Sequence, residues 1–163
     1  MMLYLDTSAL VKFYFVEKGS DIVVGRATDP DQEVFTSVVS FAEVHSVMAR
    51  KHREGQINSK EWEKARKAFE ADWAVLVNII DLDLQTMAEL PRLMEQYSSK
   101  PREPFLKPLD AIHLSAAIWL SETAKFQMPS PLREGLEFGV ADRNLAKIAD
   151  KCGLRVFNPE EEN

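Results

Sequence analysis

Several things are scarce in this chain, and each scarcity excludes something. One cysteine among 163 residues, Cys152, has no partner for an internal disulfide. Stability must come from the core, as in proteins of a reducing cytoplasm. No apolar run approaches the roughly 20 residues that a membrane span needs. The opening Met-Met-Leu-Tyr-Leu-Asp lacks the basic leader and long apolar stretch of a secretion signal. The three histidines, His45, His52 and His113, do not pair at a zinc-site spacing, which argues against structural zinc. No Walker lysine loop and no Gly-x-Gly-x-x-Gly are present, so nucleotide-triphosphate and dinucleotide binding lack support. Positive charge is in deficit: 20 basic against 26 acidic residues give a net charge of −6. A protein that coats nucleic acid is thereby disfavoured. An enzyme that gathers acidic groups around a metal is not.

What is present is an ordinary globular composition, 45% hydrophobic and 28% charged, which rules out wholesale disorder. The length suits one domain, taken as residues 1–159 with an acidic, frayed tail at 160–163. Short apolar runs at 2–5, 34–38, 75–80, 138–141 and 154–157 read as strands. Between them, patterns of helical spacing cover 9–16, 22–26, 40–53, 60–73, 84–97, 109–124 and 143–151, with Pro91 as an expected break or kink. Residues 98–108 and 125–137 read as proline-bearing loops. This alternation predicts an α/β fold, a three-layer α/β/α sandwich on a mainly parallel central sheet.

Four acidic residues, Asp6, Glu43, Asp110 and Asp142, each stand where a helix begins. Each has a capping explanation. Asp6 and Asp142 suit N-caps, Ser40-x-x-Glu43 has the form of a capping box, and Asp110 suits the first turn of a dipole. As a set they invite another reading. In a parallel sheet all strand-to-helix junctions share one edge, and ligands bind in the crevice outside the carboxyl ends of the strands. Carboxylates gathered there repel one another and raise each other's pKa. Hard divalent cations such as Mg²⁺ and Mn²⁺ relieve that repulsion and suit phosphoryl transfer.

The blocks around these residues resemble the PIN-domain ribonucleases, and among them the VapC-like toxins of toxin–antitoxin pairs. The resemblance is carried by Leu3-Tyr4-Leu5-Asp6-Thr7-Ser8-Ala9-Leu10-Val11-Lys12, Thr36-Ser37 and Ala42-Glu43-Val44. It continues in Leu109-Asp110-Ala111-Ile112-His113-Leu114-Ser115-Ala116-Ala117, Ala141-Asp142-Arg143-Asn144-Leu145 and Asn158-Pro159. It implies a PIN fold in which Asp6, Glu43, Asp110 and Asp142 hold Mg²⁺ or Mn²⁺, with Ser8 supporting the first aspartate. It implies an endoribonuclease that hydrolyses phosphodiesters with a metal-activated water, leaving a 5′-phosphate and a 3′-hydroxyl. A small antitoxin partner, a homodimer and a cytoplasmic location come with it. Two departures stand out: Val140 occupies a place where the family often has Thr, and residues 121–137 are longer than the usual link.

Other residues have plainer readings. Lys12, Arg50, Arg53 and Lys107 are candidate RNA contacts, although the run Arg50-Lys51-His52-Arg53 also complements a helix dipole. His113, one turn after Asp110, could orient a carboxylate, and a core role is favoured over that. Trp62, Phe69, Trp73 and Trp119 read as core. Phe13, Phe15 and Val16 exceed what a small core takes and suggest either an interface or cover by residues 125–137. Two rivals remain. A haloacid-dehalogenase-like phosphatase would need an aspartate where Ser8 stands. A non-catalytic PIN-like RNA- or protein-binding module would be signalled by loss of an acidic residue, and all four are present.

Overall fold

The computed structural model describes residues 1–75, 78–99, 101, 104–127 and 135–161. Its centre is β1, Met2–Leu5, an apolar strand buried along its whole length. Side chains alternate across a strand. Met2 and Tyr4 therefore enter one core, while Leu3 and Leu5 enter another on the opposite face. A strand buried on both faces reads as a continuous apolar run, which is why it is conspicuous in the sequence.

Four further strands, β2 (Glu33–Ser37), β3 (Asn78–Ile80), β4 (Leu136–Gly139) and β5 (Arg155–Phe157), complete a five-stranded sheet of order β3-β2-β1-β4-β5. Every pairing is parallel. The first half of the chain steps outward from β1 to β3. Its connections are α1 (Thr7–Leu10), α2 (Ser20–Ala27), α3 (Val39–Arg53) and α4 (Ser59–Val75). The chain then returns to the other side of β1 through α5 (Leu90–Ser98) and α6 (Pro108–Gln127), and α7 (Arg143–Lys151) joins β4 to β5. Parallel crossovers are right-handed, so reversing the direction of travel moves the helices to the opposite face. Leu10, Val23, Val44 and Phe69 from α1–α4 pack with Leu3 and Leu5, whereas Leu93, Ala117 and Ile148 from α5–α7 pack with Met2 and Tyr4. The result is the expected α/β/α sandwich. Its topological switch lies between β1 and β4, where adjacent connections leave on opposite faces and open a crevice.

Several local expectations change. The first helix is shorter than 9–16: α1 gives way to a 3-10 turn at Val11–Phe13, and the chain bends so that Gly19 can start α2. Gly19 has φ +80°, and a Cβ there would lie 2.2 Å from the Pro159 carbonyl oxygen, so only glycine fits. Pro91 sits in the first turn of α5, where its missing N–H costs nothing, and no kink results. The fourth strand lies two residues earlier than 138–141, because Leu136 pairs with Met2 and Gly139 with Leu5. Gly139 is needed at that crowded crossing: a Cβ would stand 2.5 Å from the Phe157 ring. Helix α6 runs on to Gln127, and the remainder of the long link, 128–134, lies outside the described residues, as do 76–77 of the expected third strand. The acidic tail is held at its start rather than frayed. Glu160 pairs with Lys12 at 2.7 Å and Glu161 with Arg143 at 2.9 Å. Phe69 is buried, while Trp62, Trp73 and Trp119 only flank the cores. Among the residues suspected of forming an interface, Val16 is fully exposed and Phe13 and Phe15 are half-buried.

Candidate active site

A cleft of about 440 Å³ opens at the carboxyl ends of β1 and β4, and Asp6, Glu43, Asp110 and Asp142 all line it. The fold brings them there by two different routes.

Asp6 and Asp142 sit at strand-to-helix junctions and double as N-caps. Asp6 Oδ1 accepts from the Ala9 amide at 2.9 Å, and Asp142 Oδ1 accepts from the amides of Asn144 and Leu145 at 2.8 and 3.0 Å. Ser8 ties the two junctions together. Its hydroxyl donates to both Asp6 oxygens, at 2.7 and 2.9 Å, and accepts from the Ala141 amide at 2.8 Å. Val140 is fully buried core, so the local support for Asp142 comes from backbone amides and Lys107. Capping and site formation are one arrangement here, because each cap uses only Oδ1 for the helix amides and leaves Oδ2 to side chains, Ser8 for Asp6 and Lys107 for Asp142.

Glu43 and Asp110 lie on helices. The capping box suggested by Ser40 and Glu43 does not form: α3 begins after Val38 with no side-chain cap, and Ser40 is buried against Thr36 at 2.7 Å. Glu43 Oε2 instead accepts from Thr7 Oγ1 at 2.6 Å and lies 2.8 Å from His113 Nε2. The far side of that ring, Nδ1, lies 3.0 Å from the hydroxyl of the fully buried Tyr4. His113 thus orients a carboxylate, the role disfavoured from sequence, while also being buried. Thr7 and Tyr4 were not singled out from the sequence. Thr7 hides inside an ordinary Asp-Thr-Ser cap signal, and Tyr4 inside an apolar strand.

The electrostatics follow from this geometry. Burial pushes Asp6 up from 3.8 to about 6, and hydrogen bonds from Ser8 and Ala9 offset part of that cost. Burial also raises Asp110, with Lys107 pulling the other way and the Asp142 charge adding to the rise. For Glu43, burial is outweighed by hydrogen bonds from His113 and Thr7, and its carboxyl is held below the usual range. Asp142 ends below its ordinary value too, since the Leu145 and Asn144 amides and Lys107 outweigh burial. Lys107 is raised by Asp110 and Asp142, whose Oδ2 atoms lie 3.9 and 3.4 Å from its ammonium.

Among the described residues, no three His, Cys, Asp or Glu side chains are already close enough to cage a metal. The donor chemistry nonetheless fits a hard divalent cation: six acidic residues line one cleft, Glu17 and Glu160 paired with Lys12 beside Asp6, Glu43, Asp110 and Asp142, and the Lys107 ammonium stands between Asp110 and Asp142 as a stand-in positive charge. The candidate RNA contacts divide. Arg50 and Lys107 line the cleft and Arg53 does not. Lys12 lines it with only 2% of its side chain exposed, tied to Glu160, to the Lys18 carbonyl at 2.9 Å and to Glu17 at 3.7 Å, so it is less available than its sequence position suggests. No helix among the described residues is long and apolar enough to cross a membrane.

Comparison with known proteins adds to this arrangement. A family model described as the PIN domain matches residues 3–127. The chain belongs to the PIN domain family, whose members are generally nucleases. The matched segment contains Asp6, Glu43 and Asp110 and ends before Asp142. A search of curated proteins finds no match. Among solved structures, the chain is similar to FitAcB from Neisseria gonorrhoeae at a TM-score of 0.65 and 17% identity, covering 99% of this chain and 100% of that one. It is also similar to a VapBC2 structure from Rickettsia felis bound to a DNA fragment from their promoter, at a TM-score of 0.59 and 16% identity over 97% and 98% of the two chains. A FitAB structure bound to an IR36 DNA fragment matches at a TM-score of 0.64 and 17% identity, over 100% of this chain and 98% of that one. At such identities the likeness speaks to the fold.

Proposed function

We propose that this chain is a metal-dependent endoribonuclease, the toxin of a toxin–antitoxin pair. The observation that carries the reading is the convergence of Asp6, Glu43, Asp110 and Asp142 on one cleft at the switch point of a parallel sheet. These carboxylates would hold Mg²⁺ or Mn²⁺. A divalent cation bound there acidifies a water for attack on the phosphodiester and offsets phosphate charge. The chain's own residues do the rest. Asp6, made reluctant to ionise by burial, gains most from a cation. Asp142 and Asp6 are aimed by backbone amides, and Glu43 by Thr7 and His113. Lys107 and Arg50, both exposed on the lining of the cleft, would contact RNA phosphates. Attack by water rather than by the ribose 2′-hydroxyl leaves a 5′-phosphate and a 3′-hydroxyl.

The partner reading has its own support. The VapBC2 and FitAB neighbours are each described bound to a DNA fragment, and one of these is from their promoter. We infer a small antitoxin protein as partner, assembly as a homodimer with Val16 at or near the contact, and action in the cytoplasm. The test is cleavage of end-labelled RNA by the purified chain with Mg²⁺ or Mn²⁺, against an EDTA control and the Asp6→Asn variant. Cleavage abolished by both supports the reading. Cleavage indifferent to both overturns the metal-dependent reading, and no cleavage at all with either metal overturns it in favour of a non-catalytic binding module.

A further inference from the structure

Glu43, unlike Asp6 and Asp142, is held with no backbone amide, by the side chains of Thr7 and His113. Its Oε2 accepts from Thr7 Oγ1 and stands 2.8 Å from His113 Nε2, while no hydrogen bond or ion pair is made by Oε1 among the described residues. The protons can be assigned by satisfying each group. Tyr4 is completely buried, and a tyrosine phenol carries its proton at neutral pH. A buried hydroxyl proton needs an acceptor; Ser37 also bonds the phenol, donating to its oxygen from backbone and side chain, so the phenol proton is left for His113 Nδ1, 3.0 Å away. A neutral imidazole that accepts at Nδ1 carries its proton at Nε2. That proton points at Glu43 Oε2, with Thr7 Oγ1, 3.3 Å from Nε2, as a second acceptor on the same side. Thr7 in turn spends its own proton on Glu43, so every donor in the chain Tyr4, His113, Thr7 has an acceptor and none is counted twice.

We propose that His113 is a positioning residue for Glu43: locked by Tyr4 as the Nε2–H tautomer, it donates to Oε2 and so presents Oε1 as the single free oxygen offered to the cleft. The opposite tautomer would set the Nε2 lone pair against a carboxylate oxygen and release the side chain. The path crosses three layers, from the sheet (Tyr4) through α6 (His113) to α3 (Glu43). The wall of the cleft made by α3 is thereby registered against the wall made by α6, which also bears Asp110. The proposal deepens the nuclease reading, because it states which oxygen of Glu43 a cation would meet, but its first test does not depend on that reading.

Long-range ¹H–¹⁵N correlation on the metal-free, ¹⁵N-labelled full-length chain at neutral pH reports the tautomer of each histidine, with His113 assigned by difference from His113→Gln. The expected spectrum has His113 protonated at Nε2 and not at Nδ1. In Tyr4→Phe the Nδ1 acceptor loses its donor, and the Nδ1–H form gains population. A wild-type ring protonated at Nδ1 overturns the proposal, whether the ring is the opposite tautomer or an imidazolium. The second readout is Mn²⁺ binding by paramagnetic relaxation, with folding of each variant checked by its melting curve. Glutamine can supply an N–H close to the Nε2 position, so His113→Gln should bind Mn²⁺ within about twofold of wild type. His113→Leu should lose about 10–100-fold, the usual scale for removing an outer-shell partner. Equal binding by a folded His113→Leu variant overturns the positioning role. If wild type itself binds no Mn²⁺, the metal reading fails while the tautomer spectrum still decides the arrangement around Glu43.

Discussion

The two walls of the cleft are built on different principles. On the wall made by the β1 and β4 junctions, Asp6 and Asp142 are aimed by backbone amides two or three residues further on, with Ser8 bridging the two junctions. On the wall made by α3 and α6, Glu43 is aimed by Thr7 and His113, which are 36 and 70 residues away in the chain. The first wall is local chemistry and inherits its precision from the sheet register. The second is tertiary chemistry and exists only once both cores have closed. Their electrostatics diverge accordingly. Burial leaves Asp6 under-compensated and raised to about 6, whereas Glu43 is over-compensated and lowered.

The largest effect we expect separates function from stability at Asp6. Asp6→Asn keeps the size and the cap acceptor but removes the charge. Cleavage of RNA should drop by on the order of a hundredfold or more, the scale of losing a key electrostatic group. The metal-free chain should become more stable. A carboxyl that moves from 3.8 when unfolded to about 6 when folded binds its proton more tightly in the folded state. Stability conferred by that proton is complete below about pH 4 and falls away as pH rises to 6, by on the order of 3 kcal/mol. The variant escapes this loss. Melting curves in EDTA should coincide at pH 4 and separate in favour of Asp6→Asn at pH 7.5. Added Mn²⁺ should raise the melting temperature of wild type and not of the variant. A variant that melts lower than wild type at pH 7.5 would show that the cap needs the charge.

Glu43 should behave with the opposite sign, which makes it the sharper test of the comparison. Its lowered pKa gives a stabilisation that is complete above the ordinary carboxylate range and is lost as pH falls below that range through the lowered folded-state value. Glu43→Gln should therefore be less stable than wild type at pH 7, with the difference shrinking as the pH is taken below the ordinary carboxylate range. Thr7→Val, which removes one donor and leaves the rest of the network, should cost about 1–2 kcal/mol in a urea titration. It should leave the pH profile of Asp6 in place. If both variants instead shift that profile, the two walls are one coupled unit.

This division also explains what could be read in the sequence. The β1 run is apolar on both faces, and the helices repeat their apolar residues at helical spacing, so an α/β sandwich was legible. So were Asp6 and Asp142, because a strand followed by an acidic cap is a local pattern. The strand order was not, since it depends on which pairings bury the most surface. Nor was the role of Tyr4, because a phenol in an apolar strand looks like core until the ring that meets it is known. Ser40-x-x-Glu43 was misleading for the same reason: buried Thr36 and Thr7 compete for these side chains and win over the local capping box. Lys12, placed by sequence among the RNA contacts, turns inward to Glu160 because Pro159 packs against the Gly19 turn.

The smallest effect concerns Lys107, which touches both walls. Its side chain is 63% exposed and its ammonium lies 3.4 Å from Asp142 and 3.9 Å from Asp110. Exposed pairs of this kind contribute under about 1 kcal/mol, so Lys107→Met should leave the melting temperature nearly unchanged. Asp142 should stay where it is, because its Oδ1 is fixed by the Asn144 and Leu145 amides rather than by the lysine. What the substitution removes is a positive charge beside two carboxylates that a cation would share. With no ammonium to displace, Mn²⁺ should bind severalfold tighter to Lys107→Met in the absence of RNA. RNA should bind more weakly, with the slope of log K against log salt reduced by about one phosphate contact. Arg50→Ala, on the same cleft but away from the carboxylates, should reduce the salt slope without the gain in Mn²⁺ affinity. Should Lys107→Met lose Mn²⁺ affinity instead, the lysine would be a structural spacer between Asp110 and Asp142, and the α6 wall would depend on the β4 junction for its geometry.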